Sequence, residues 1–150
     1  MVLNIYEVGR YMFIGEYRHN LDAKGRLILP AKFRSCLGER CIATRVWITV
    51  FLFFPWKSGR GWKKKLRNLP LTKKEARAFS RFFFSGATEC ELDGQGRILL
   101  PPSLREYAQI SKEVAIIGVS SRIEIWAADH WDEYCAGAEE TYEELAEQME

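Results

Sequence analysis

The 150-residue sequence predicts an α+β fold: two pseudo-symmetric, β-rich halves with short helices, followed by one long C-terminal helix. Three observations lead there. A segment occurs twice at constant spacing, each occurrence contains a short apolar run closed by proline, and an apolar stripe at helical spacing runs towards the C-terminus.

The first copy of the repeat reads Leu21-Asp22-Ala23-Lys24-Gly25-Arg26-Leu27-Ile28-Leu29-Pro30, followed by Arg34. The second reads Leu92-Asp93-Gly94-Gln95-Gly96-Arg97-Ile98-Leu99-Leu100-Pro101, followed by Arg105. Leu, Asp, Gly, Arg, Leu, Pro and the trailing Arg recur at an offset of 71 residues. Downstream, Ile48-Thr49-Val50-Phe51 is echoed by Ile123-Glu124-Ile125-Trp126 at a slightly longer offset.

Each copy has the grammar of a sharp loop, a strand and a short helix. Asp22 and Asp93 shape the loops through side-chain bonds to nearby backbone NH groups, and Gly25 and Gly96 tolerate positive φ there. Leu27-Ile28-Leu29 and Ile98-Leu99-Leu100 read as buried strands, ended by prolines that cannot donate to a ladder. Ser103-Leu104-Arg105-Glu106 has the pattern of a capping box opening a short helix. Its first-copy counterpart, Ala31 to Arg34, lacks the serine and is ended by Gly38.

Between the copies, a basic segment is predicted to be helical from Trp62 to Leu69 and is stopped by Pro70. A second capping-box pattern, Thr72-Lys73-Lys74-Glu75, opens a helix through Phe84. Ala76, Phe79, Phe82 and Phe83 form its apolar side, and Gly86 ends it. The run Val46 to Phe54 reads as a buried strand, too short to cross a bilayer. The tail helix starts at Asp129, with Trp131, Tyr134, Ala138, Tyr142, Leu145 and Met149 on one stripe. Packing of that stripe within the protein or on a neighbouring subunit is expected. The resulting division is 12–69 and 86–128 for the halves, 70–85 for a connecting helix, 129–150 for the acidic helix and 1–11 for an N-terminal extension.

Composition narrows the function. A 47% hydrophobic content supports a real core. Net charge is only +2, yet residues 129–150 carry nine acidic groups and no Lys or Arg. Residues 1–128 therefore hold all 22 basic residues against 11 acidic ones, a net of +11. A basic body with an acidic tail fits a polyanionic partner, although a solvated surface laced with ion pairs gives the same count. Met1 to Tyr11 carries Glu7 and Arg10 and no apolar secretory core, so a cytoplasmic location is expected.

Catalysis and metal binding find little support. Cys36, Cys41, Cys90 and Cys135 form no C-x-x-C pair, so reduced, mostly buried thiols are expected, with no metal and no cofactor. His19 has Cys90 as its counterpart in the second copy, and His130 opens the acidic helix. Glu89, Glu91 and Asp93 alternate along a strand, which fits a hard-cation site or one solvated face equally. No G-x-S-x-G, Walker-type loop or H-E-x-x-H occurs. The sequence reads as that of a non-enzyme, with no small-molecule substrate and no membrane partner.

The run Met12 to Arg26, together with Asp93-x-x-x-Arg97, strongly resembles the MraZ family of transcriptional regulators. The resemblance extends from about Met12 to near the C-terminus, and the paired Asp-x-x-x-Arg motifs are its most specific part. It implies two AbrB-like swapped-hairpin β-barrel halves and ring-shaped homo-oligomers. It further implies nucleoid association and binding of short direct repeats before the division and cell-wall gene cluster, with repression the expected direction. Two departures stand out. Family chains usually begin near Met12, and Arg45 to Trp62 fits the family poorly, with the usual turn before the first half's last strand replaced by an apolar run.

On this reading double-stranded DNA is the partner. Arg26 and Arg97 contact it from the loop tips with planar, two-pronged donors, while Asp22 and Asp93 hold them in place. Lys24, which has Gln95 as counterpart, adds phosphate attraction to the first loop, and Arg18, Lys32 and Arg34 add nonspecific contacts. The plainer alternative is that each Asp–Arg pair is only a salt bridge bracing a turn. A rival function is an oligomeric scaffold or antitoxin-like module that docks proteins through the acidic helix.

Overall fold

A computed structural model of the chain describes residues 12–53 and 66–149. The first half runs β1 (Phe13–Asn20), β2 (Arg26–Ile28), α1 (Ala31–Leu37), β3 (Arg40–Val46) and β4 (Thr49–Phe53). Helix α2 (Lys74–Ser85) follows. The second half repeats the order as β5 (Thr88–Glu91), β6 (Arg97–Leu99), α3 (Pro102–Tyr107), β7 (Glu113–Ser120) and β8 (Arg122–Ala127). Helix α4 (Ala128–Gln148) closes the chain, and the architecture is α+β.

Six strands form one antiparallel sheet in the order β1-β7-β8-β4-β3-β5, and β2 pairs with β6 as a separate two-stranded ribbon. Exchanging each strand for its repeat equivalent returns the same order read backwards, so the duplication in sequence is a two-fold pseudo-symmetry in space. The halves are also interleaved. Strand β1 pairs with β7 of the second half, and β5 pairs with β3 of the first. Each half's first strand thus completes the other half's sheet, and neither half holds its full set of ladder bonds alone.

The sheet is covered on two sides, which explains why all five residues of β4 are buried. Alternate side chains of a strand point to opposite faces. Val50 and Leu52 enter the main core with Leu27, Phe33, Ile98 and Leu104, while Phe51 and Phe53 enter a second cluster with Val46, Leu66 and Phe83. Phe83 is the buried residue of α2, Phe79 packs partly against the same cluster, and Arg45 lies 3.7 Å from the centroid of the Phe82 ring.

Several local expectations change. The run Val46 to Phe54 is not a single strand: β3 ends at Val46, and a two-residue turn at Trp47 and Ile48 leads into β4. The family's usual turn, expected to be replaced here by an apolar run, is therefore present, built from residues with φ of 51° and 58°. Positive φ at both central residues of a tight hairpin matches strand twist, normally at Asn-Gly. Here Thr49 Oγ1 donates to Val46 O (2.7 Å) and the Ile48 amide donates to Tyr107 Oη (3.1 Å). The β7–β8 hairpin turns at the equivalent place with Ser120 at φ 58°.

Neither capping box forms. Helix α3 begins at Pro102, which puts Ser103 inside the first turn, and α2 begins at Lys74, which leaves Thr72 one residue outside. Ser103 lies two residues past the N-cap Pro101 and Thr72 one residue before the N-cap Lys73, so neither hydroxyl is at the position that can reach the free amides. Leu66 and Arg67 are helical, while positions 62–65 of the expected basic helix, like 1–11, lie outside the described residues.

Among the described residues, the tail helix packs on the body at its root. Trp131 and Tyr134 join Trp126 of β8 in an aromatic cluster with centroid separations of 5.1–5.8 Å. Trp131 Nε1 donates to Glu16 (2.6 Å). Further along, Tyr142 and Leu145 are 69% and 54% exposed, so the stripe does not pack along its length on its own body. No helix among the described residues is long and apolar enough to cross a membrane.

Candidate nucleic-acid interface

The two loops are built identically. Asp22 Oδ1 accepts the amides of Lys24 and Arg26, both at 2.9 Å, while Oδ2 accepts Arg26 Nε at 2.6 Å. Asp93 Oδ1 accepts the amides of Gln95 and Arg97, both at 2.9 Å, while Oδ2 accepts Arg97 Nε at 2.8 Å. Backbone bonds from Gly25 to Asp22 and from Gly96 to Asp93 close each turn. The amide of the following arginine, then its guanidinium, hold each carboxyl below the usual range.

This geometry uses one nitrogen of each guanidinium and leaves the other two. The terminal nitrogens of Arg26 and Arg97 have no partner among the described residues. Fixing an arginine through Nε holds its plane still while the two-pronged end stays available to a planar or phosphate acceptor.

Ribbon register decides where those ends lie. Arg26 stands opposite Leu99, Leu27 opposite Ile98, and Ile28 opposite Arg97. Residues directly opposite, and those two apart, share a face. Leu27 and Ile98 are fully buried on the core side, so Arg26, Ile28, Arg97 and Leu99 occupy the other side. The two arginines are diagonal neighbours there, with backbones about 7–8 Å apart. Opposite them on the same face, Leu99 and Ile28 are 54% and 48% exposed, although the sequence reads both as buried. In a ribbon of three-residue strands, only the middle pair faces the core.

The trailing arginines cross between copies. Arg34 donates to Gln95 O (3.5 Å), and a Cβ on Gly96 would lie 1.9 Å from its Nη1. Arg105 donates to Leu100 O (3.1 Å), and a Cβ on Gly25 would lie 2.6 Å from its Cζ. Gly25 and Gly96 have φ of 81° and 76°. Ladder-like bonds reinforce the crossing, from Leu29 N to Gly96 O and from Leu100 N to Gly25 O. Each loop therefore rests on the other copy's arginine. Arg105 was not among the expected site residues, although its recurrence with Arg34 at the repeat offset marked it.

The remaining expected residues are dispersed. Lys24 is exposed at the first loop, with no side-chain partner among the described residues. Lys32 is exposed at the start of α1. Arg18 is occupied: it pairs with Asp132 of the tail helix and lies 3.8 Å from both Glu16 and Glu113. Glu89 and Glu91 both meet Arg40, at 3.4 and 3.2 Å. Among the described residues no three His, Cys, Asp or Glu side chains group as metal ligands. Two of the four thiols, Cys41 and Cys90, are buried and face each other across β3 and β5, whereas Cys135 is exposed.

A family profile described as "MraZ protein, putative antitoxin-like" matches the chain twice, over residues 12–82 and 83–150. A protein of Halothermothrix orenii named transcriptional regulator MraZ is 55% identical over 139 residues, covering 93% of this chain and 97% of its own. Proteins of the same name from Moorella thermoacetica and Desulfitobacterium hafniense Y51 are 54% and 56% identical over 138 residues. Both alignments cover 92% of this chain and 96% of theirs.

Proposed function

Because the chain belongs to the MraZ family, we propose that it is a sequence-specific DNA-binding transcriptional regulator. On this reading it works in the cytoplasm at the nucleoid. It represses the division and cell-wall gene cluster by binding short direct repeats through its paired Asp-x-x-x-Arg loops. The observation that carries the reading is the placement of Arg26 and Arg97 on one solvent-facing side of the ribbon, each clamped by its aspartate with two nitrogens free. A turn-bracing salt bridge needs only the Nε contact that each arginine makes with its own aspartate, and gives the two terminal nitrogens no role. The interleaved strands fit the AbrB-type swapped hairpin.

A single ribbon covers few base pairs. A ring of copies would present it repeatedly and raise affinity through effective concentration. The exposed Tyr142 and Leu145 on an acidic helix supply an apolar surface for such self-association, beside a body of opposite charge. The same surface favours the second reading, a protein-docking scaffold or antitoxin-like module, which would bind partners without DNA.

Footprinting on DNA upstream of the protein's own gene tests the proposal. Evenly spaced protected repeats are expected, lost in the Arg26→Ala, Arg97→Ala double variant with the circular dichroism spectrum unchanged. Each single change should cost about 1–3 kcal/mol of specific binding. The log–log salt slope should be steep, roughly −0.9 per phosphate neutralised. Unchanged protection in the double variant overturns the site assignment.

A further inference from the structure

Ile28 and Leu99 are equivalent positions of the repeat, and they stand opposite Arg97 and Arg26 on the arginine-bearing face. Burial gives no reason for their apolar character: they are 48% and 54% exposed, while their neighbours Leu27 and Ile98 are fully buried. A solvated strand face of this kind ordinarily carries polar side chains. The flanking guanidinium ends identify what covers it, since a purely apolar occupant would bury their terminal nitrogens, which have no acceptor among the described residues, without a hydrogen bond.

Resting on the DNA-binding reading above, we infer that the β2–β6 ribbon lies in the major groove and that Ile28 and Leu99 read thymine by contact with its C5-methyl group. The major groove, about 12 Å wide, admits a two-stranded ribbon, and it is the groove that displays the thymine methyl. A face with charged forks at one pair of diagonal corners and branched apolar side chains at the other pair matches that surface. The forks take base-edge or phosphate acceptors, while the aliphatic groups shield methyls from water. In the minor groove the same aliphatic pair would meet no methyl group, only acceptor edges and the guanine amino group.

The test uses the protected upstream fragment prepared with either thymidine or deoxyuridine throughout, which differ by that methyl alone. Wild-type protein should bind the deoxyuridine fragment about fourfold more weakly for each methyl it would otherwise cover. The Ile28→Ser, Leu99→Ser variant should bind both fragments with equal affinity. Equal binding of the two fragments by wild-type protein overturns the inference. So does an undiminished preference in the variant, which would show that methyl-dependent DNA shape is being read. A variant that loses self-assembly in sedimentation while keeping the preference shows the face to be a contact between copies, and overturns it likewise. Absence of binding to either fragment by wild-type protein would instead defeat the DNA-binding reading.

Discussion

The guanidinium of Arg34 occupies the space that a side chain on Gly96 would need, and the two residues belong to different copies of the repeat. The reciprocal pair, Arg105 on Gly25, makes the support mutual. The loops are therefore coupled, and a change in either copy is felt at the other's loop arginine.

Gly96→Ala should consequently destabilise the protein. Its φ of 76° costs an L-residue about 1–2 kcal/mol, and the new methyl must also displace Arg34. Urea denaturation should show a lower midpoint with an unchanged slope. Adding Arg34→Ala should recover part of the loss by clearing the space.

Asp22→Ala and Asp93→Ala separate orientation from bulk charge. Each removes a negative charge beside a polyanion site, so electrostatics alone predicts tighter binding. Each also frees the arginine held through Nε and strips the turn of three hydrogen bonds. Weaker specific binding by gel shift is expected, with nonspecific binding at low salt retained or improved.

The same carboxyls set an acid limit. Their folded pKa values lie below the unfolded value of about 3.9. Their stabilisation is fully present above that unfolded value and fades as pH falls through the lowered folded values. Carboxyl carbon shifts followed by NMR should titrate below the ordinary aspartate range. Arg26→Ala should move the Asp22 midpoint upward.

Ile48→Gly should stabilise the protein by about 1 kcal/mol, since a β-branched residue at φ 58° is strained and Ile48 is 48% exposed. A rise of several degrees in melting temperature is expected. No rise would indicate that its side-chain packing offsets the strain.

Among the cysteines, Cys135 should be alkylated first in native protein, because Cys41 and Cys90 are buried. Its rate should nevertheless fall below that of a free thiol near pH 8. Partial desolvation and the Glu16 and Asp132 carboxylates raise its pKa and reduce the thiolate fraction. Mass spectrometry after a brief iodoacetamide pulse measures the order.

Much of this molecule was visible in the amino-acid order. Identity at the repeat offset led to two equivalent loops, and the chemistry of Asp, Gly and Arg at short spacing was enough to draw each loop's turn. The sharp end of helix α1 at Gly38 and the apolar stripe on the tail were also legible. The turn at Trp47 and Ile48 was not, because neither residue prefers positive φ; the pairing of Val46 with Thr49 imposes it. The two capping-box patterns matched in composition, but α3 starts two residues before, and α2 one residue after, the place that the pattern requires.

Side-chain chemistry within a few residues acts wherever the chain goes, which is why the duplicated loops and the division into basic body and acidic tail could be read directly. Which copy's arginine supports which loop, and that Ile28 and Leu99 face solvent beside Arg97 and Arg26, depend on β2 meeting β6 across 71 positions of chain. That register follows from long-range pairing and burial, and three-residue strands are too short to announce it through alternation.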